Sequence, residues 1–249
     1  MNFYVMTLFP ELIDAVSGSS ILKRGIENGC ISVQAVNFRD FATDRHHHVD
    51  DYPYGGGAGM LIQPGPVFDC FQDLKEKIGR APRVIYTTPK GKIFSQKMAE
   101  ELAKEEDLVF LAGHYEGIDE RVLDLIVTDR VSIGDYVLTG GELPAMVMID
   151  AIARQVPGVL SAGSAEIESF SDGLLEYPQY TRPEEFMGLR VPEILLSGHH
   201  ANVEKWQREM AIRETVKYRP DLIETACLTE KERAFAETLM NAAENGNDK

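Results

Sequence analysis

From Met1 to about Gly158 the chain alternates between two textures of apolar positions. Short runs rich in β-branched and aromatic residues read as strands: NFYVMTL, CISVQAV, RVIYTT, DLVFLAG and the shorter DRVSIG. Between them lie segments with apolar residues at helical spacing. These are PELIDAV, opened by Pro10, then PVFDCFQDLKEKI, SQKMAEELAKE, IDERVLDLIV and ELPAMVMIDAIARQV, which stops at Pro157 and Gly158. One long polar, glycine-rich stretch, FRDFATDRHHHVDDYPYGGGAGM, reads as a loop. Strands alternating with helices predict an α/β domain on a mostly parallel sheet.

After that the texture changes. LSAGSAEIESFSDG is small and polar, as an interdomain linker should be. Beyond Leu174 no run reads as a strand, whereas HHANVEKWQREMAIRETVKY and TEKERAFAETLMNAA read as helices. The expected division is a domain over residues 1–160, a linker over 161–173 and a smaller, all-helical domain over 174–249. The tail ENGNDK reads as frayed, and no internal repeat is present.

Composition narrows the class. The chain has 249 residues, 44% apolar and 26% charged, which suffices for a proper core. No apolar run suits a membrane span: AMVMIDAIA is short and broken by Asp150. The first residues lack the basic start of a signal peptide, and the three scattered cysteines form no CxxC, so a reduced, cytoplasmic protein is expected. The formal net charge of −15 argues against a general coat for nucleic acid but leaves room for a local basic groove.

In open α/β sheets ligands bind beyond the carboxyl ends of the strands. Three such ends are unusual here: YTTPKG, GHYEGIDERV and SIGDYVLTGGELPA. Their glycines, Gly113, Gly117, Gly134, Gly140 and Gly141, allow close backbone approach or positive φ. Three such loops in succession point to a site where each glycine alone would be a turn residue. Neither GxGxxG nor GxxxxGK[ST] occurs, so an ordinary dinucleotide or NTP fold is disfavoured. The helix after these loops is apolar nearly all round, which suits a core or a dimer interface; Asp150 and Arg154 share one of its faces.

The blocks GGGAGM, GHYEGIDERV, SIGDYVLTGGELPAMVMIDAIARQVPGVL, SFSDGLLEYPQYTRP and VPEILLSGHH closely resemble the bacterial tRNA (guanine-N1)-methyltransferase family, TrmD, of the SPOUT superfamily. The likeness runs from the first strand to the last helices. It implies a SPOUT-type α/β domain with a deep trefoil knot, S-adenosylmethionine as methyl donor, and a homodimer with active sites shared between subunits. It also implies methyl transfer to N1 of the guanosine immediately 3′ of the tRNA anticodon, position 37. By position, the donor would lie against Pro89, Gly113, Tyr115, Glu116, Gly117, Ile133, Gly134, Asp135, Tyr136, Val137, Leu138, Gly140, Gly141 and Pro144.

N1 of guanine carries a proton at neutral pH, so a base must remove it, and a cation must meet the charge on O6. Arg154 matches the family's arginine for the second task. The family's base is usually an aspartate just before Ser-Phe, and Glu168 stands there, with an arm one methylene longer. His46 and Asp50 would face the substrate from the long loop. Consecutive His46, His47 and His48 do not suit a metal site, and no metal is expected; whether Mg²⁺ takes part is not written in the sequence.

Lys205, Arg208, Arg213, Lys217 and Arg219 cluster on or just after one helix, partly offset by Glu204, Glu209 and Glu214. Beside the resemblance they read as a surface for the RNA backbone, with Lys205 and Arg208 in contact and Trp206 and Met210 in the core. Two alternatives stand: a SPOUT enzyme acting on another RNA, and an inactive RNA-binding dimer.

Overall fold

The computed structural model describes residues 1–161 and 169–246. In chain order the first part holds β1 (Asn2–Thr7), α1 (Pro10–Ser17), α2 (Ser20–Glu27), β2 (Ser32–Asn37), β3 (Asp50–Asp51), β4 (Leu61–Ile62), α3 (Pro64–Ile78), β5 (Arg83–Ile93), α4 (Gln96–Leu102), β6 (Asp107–Leu111), α5 (Glu120–Ile126), β7 (Asp129–Ser132) and α6 (Glu142–Ala153). The rest holds β8 (Glu185–Phe186), β9 (Leu189–Arg190), α7 (Glu193–Leu196), α8 (His200–Tyr218) and α9 (Glu230–Gly246). Contacts divide the chain into two compact units, residues 1–162 and 163–249.

In the first unit five strands form one sheet in the order β2-β1-β6-β5-β7, every neighbouring pair parallel. Alternate residues of each central strand feed opposite faces, and both faces are buried. Phe3, Val5, Ile85, Leu108 and Phe110 join Ile13, Leu22, Met148, Ile149 and Ile152 beneath α1, α2, α4 and α6. Met6, Val84, Val109 and Leu111 join Val67, Leu74, Val122 and Ile126 beneath α3 and α5. At the amino ends of the strands Arg83 grips Asp129 through two bonds of 2.8 Å and reaches Glu101 at 3.0 Å. Among the described residues no helix is long and apolar enough to cross a membrane.

Several local expectations shift. SILKRGIE forms an extra helix, α2, which turns Leu22 into the core. The helix beginning at Glu142 ends at Ala153, with Arg154 as its cap, rather than at Val156. YTTPKG does not end its strand: β5 runs to Ile93, and Thr87 and Lys92 both pair with Val131 around a bulge.

The second unit is not all-helical. β8 and β9 pair antiparallel across Met187 and Gly188, whose φ values of 52° and 82° suit a two-residue turn. Strands of two residues carry no readable alternation, which is why the pattern missed them. Leu174, Ala211, Ile212, Ile223, Ala226 and Ala236 form this unit's core. Trp206 and Met210, expected there, are half-buried and outside that cluster. At 3.6 residues per turn they lie roughly 120° and 160° around α8 from Ile212.

Arg208 and Thr229 hold the Glu232 carboxyl down at about 2, well below its ordinary 4.5. A carboxylate depressed on folding contributes stability that is present above its ordinary value and lost as pH falls toward the folded one. Urea denaturation of the parent should therefore show a stability loss between pH 6 and pH 3 that Glu232→Gln reduces. Equal losses in both proteins would contradict the assignment.

Candidate functional site

The bulged middle of β5 and the segments beyond the carboxyl ends of β6 and β7 converge on one cleft of about 430 Å³, within the ordinary range for small-molecule sites. The loop after β7 doubles back onto the loop after β6. His114 and Gly140 form an antiparallel bridge, and Gly141 N donates to Gly113 O at 2.8 Å. A Cβ on Gly141 would lie 2.3 Å from Thr87 Oγ1, 2.8 Å from Ala112 Cα and 2.9 Å from Gly113 N. The middle of β5, the end of β6 and the start of α6 thus meet where only a hydrogen atom fits. The bulge in β5 is equally tight: a Cβ on Gly91 would sit 2.3 Å from Val131 N. Bulges often mark the edges of sites, where they redirect a strand.

Other contacts hold the loops in shape. Ser132 Oγ exchanges 3.2 Å bonds with Gly134, and Gly134 takes φ 148° while Tyr136 N donates back to its carbonyl. Tyr115 sits at φ 57°, an unusual conformation for a side-chain-bearing residue. The end of the glycine-rich loop closes one wall: Glu116 N donates to Met60 O, Ile62 N to Gly117 O and Asp119 N to Ile62 O, each at 2.9–3.0 Å.

The lining is largely backbone and apolar, and Lys90, Glu120 and Arg130 among its charges are paired. Arg130 meets Glu120 at 2.5 Å and Asp124 at 3.3 Å, and Lys90 lies 3.8 Å from Glu120. Burial, with the nearby Glu120, pushes the Tyr86 hydroxyl above its usual range, so it stays a neutral donor. Beneath the cleft Glu142, only 3% exposed, accepts a 2.8 Å bond from Thr7 Oγ1. His114 Nδ1 is buried among the lining groups without a hydrogen-bond partner.

All the positions expected to hold a ligand line this cleft except Asp135. Tyr86, Thr87, His114 and Thr139 also line it but were not singled out. Thr87 stood in plain view as a hydroxyl at the end of an apolar strand; its Oγ1 lies 3.4 Å from both Leu111 O and Gly141 O.

The remaining expected residues lie elsewhere. Arg154 caps the far end of α6, about 20 Å from Gly141 at 1.5 Å per residue. Asp50 lines a second, acidic cleft with Asp44, Asp51, Asp69 and His48. His46 is exposed beside it, its amide held by Asp44 and its ring 5.5 Å from that of His48. Glu168 falls outside the described residues.

On α8 Lys205 is exposed. Arg208 is not a free surface cation: it binds Asp172, Glu232 and the carbonyl of Cys227. Arg213 is paired with Glu209, and Arg219 with Asp221.

A family model described as tRNA (Guanine-1)-methyltransferase TrmD matches residues 1–225. A Lachnospira eligens protein named tRNA (guanine-N(1)-)-methyltransferase is 64% identical over 90% of this chain and 95% of its own. Proteins of the same name from Lachnoclostridium phytofermentans and Bacillus subtilis are 56% and 54% identical, covering 96% and 94% of this chain and 97% of each relative.

Gly141→Ala should therefore destabilise the first unit by roughly 1–3 kcal/mol through forced displacement of backbone, and abolish ligand binding in the cleft. Gly65→Ala is the control, since a Cβ there meets nothing within 4 Å. Denaturant unfolding and calorimetric titration with S-adenosylmethionine would check both; unchanged affinity in Gly141→Ala would misplace the site.

Proposed function

The chain belongs to the tRNA (guanine-1)-methyltransferase TrmD family, and on that premise we propose that it methylates N1 of the guanosine immediately 3′ of the tRNA anticodon, with S-adenosylmethionine as donor. The observation that carries this reading is the cleft between β5 and the loops after β6 and β7, on which nearly all the family's expected donor-binding positions converge. Its backbone-rich, glycine-pinched walls suit a donor gripped by peptide groups, and Tyr86, Tyr115 and Tyr136 offer apolar faces to a purine ring. The proposal includes the knotted chain path of SPOUT enzymes, supported by the doubling back of residues 132–141 over residues 113 and 114.

The bound donor supplies an electrophilic methyl group on a sulfonium. The residues lining the cleft would hold the donor, and Glu168 would take the proton that guanine N1 gives up as it is methylated. Arg154 faces the charge that gathers on O6. Arg154 stands a helix length from Gly141 of its own cleft, which supports a second copy presenting its arginine there. A homodimer with shared sites supplies that geometry. Leu143 and Val147, 54% and 51% exposed, lie four apart on α6, which packs against α1 with its own exposed Leu12 and Val16, and these apolar side chains suit the dimer contact. In this scheme the second unit holds tRNA, with Lys205 toward phosphate, and Asp50 accepts from a base edge.

Sedimentation at low micromolar concentration should give about twice the 27.8 kDa chain mass; an active monomer would overturn the shared site. Glu168→Gln should slow single-turnover methyl transfer to a tRNA transcript by ~10²–10⁴-fold while donor affinity persists. Glu168→Asp should remain active. Parental rates in Glu168→Gln would remove that residue from the role of base.

A further inference from the structure

Two of the cations that line the cleft share one carboxylate. Between Thr87 and Lys92 β5 leaves its ladder, since both of those residues pair with Val131 of β7. Gly91 holds this bulge against β7: a Cβ there would sit 2.4 Å from Arg130 C and 2.3 Å from Val131 N. Lys90 comes just before it in the bulge and lines the cleft together with Arg130 and Glu120. Bulges re-aim side chains in this way. Glu120, the first residue of α5, meets Arg130 Nη2 at 2.5 Å and Lys90 Nζ at 3.8 Å. Arg130 is tied further to Asp124 at 3.3 Å.

Lys90 is the looser of the two cations. Its 3.8 Å contact with Glu120 is too long for a hydrogen bond, and its side chain is 78% exposed against 37% for Arg130. Glu116, the other carboxylate of the lining, is turned against Gly59 of the glycine-rich loop. From Ile133 to Pro144 the lining residues are all uncharged, among them Gly134, Tyr136, Leu138 and Gly140.

The cleft is therefore chemically lopsided, and so is the donor. The adenosine part of S-adenosylmethionine is uncharged, whereas its amino-acid tail carries an α-carboxylate and an α-ammonium. The uncharged wall suits the first. A cation and an anion side by side, weakly bonded to each other, suit the second, because a zwitterion satisfies both at the loss of one long contact. The reverse placement would set both charges of the tail against a wall without counter-charges.

We propose that Lys90 sets the direction in which the donor lies: its Nζ takes the α-carboxylate of S-adenosylmethionine, and Glu120 takes the α-ammonium. The inference rests on the reading of this cleft as the donor site. An exposed ion pair contributes modestly, so the effect is one of a few-fold in affinity.

The test is calorimetric titration of the full chain with three ligands. They are S-adenosylmethionine, its decarboxylated counterpart, which keeps the sulfonium and the amine, and 5′-methylthioadenosine, which lacks the tail. Lys90→Met should weaken S-adenosylmethionine about three- to fivefold, an effect that shrinks in high salt, and should weaken neither of the other two. Lys90→Arg should restore the parental affinity. Glu120→Gln should weaken the decarboxylated ligand, whose amine it faces, but not 5′-methylthioadenosine. Parental affinity for S-adenosylmethionine in Lys90→Met, or an equal loss for all three ligands, overturns the placement of the tail. A parent protein that binds none of the three overturns the donor reading of the cleft instead.

Discussion

The backbone contact between Gly113 and Gly141 is the constraint on which the rest of the first unit's site depends. It joins the end of β6, a strand in the middle of the sheet, to the start of α6, the helix that covers one sheet face. Because Thr87, Ala112 and Gly113 crowd the same point, the loop after β7 must return over the loop after β6. The cleft wall follows from this return, with Gly134, Tyr136, Leu138 and Gly140 carried into position along one short segment. The bulge in β5 and the tie between Met60 and Glu116 complete the enclosure. An envelope built from peptide groups in fixed registers demands little of side-chain chemistry, and the charges on the lining can neutralise each other.

Charge is distributed differently where RNA is concerned. The chain is strongly acidic, and most arginines on α8 or just after it are already bound to carboxylates of their own unit. Such pairs fix helices and turns but release few counterions when a polyanion arrives. On the proposed function, the paired arginines of this segment give little to tRNA binding, which leaves the role to exposed cations such as Lys205 and to shape and base edges.

The sheet was legible because a parallel strand buried on both faces leaves a short, dense apolar run, as in DLVFLAG and RVIYTT. The cleft was legible because close backbone approach leaves glycine and little else, as at Gly141. What escaped has physical reasons too. SILKRGIE alternates polar and apolar residues over only two turns, too short for its period to stand out. The β8–β9 hairpin hangs on backbone conformation at Met187 and Gly188 rather than on pattern. Arg208 looked like one more cation on a mixed face, because its carboxylate partners lie 36 and 24 residues away along the chain. His114 was hidden in a glycine motif, where its buried ring nitrogen shows only in three dimensions.

In the proposed dimer the length of α6 has a genetic consequence. Gly141 and Arg154 cap opposite ends of a single rigid rod, so in a dimer with shared sites each chain contributes one end to each of two different reaction centres. A chain crippled at Gly141 still lends a sound arginine, and a chain crippled at Arg154 still holds a sound cleft. Two alleles, each silent alone, would together assemble mixed dimers in which one of the two centres is whole, and a cell carrying both would regain part of the activity that either one lacks.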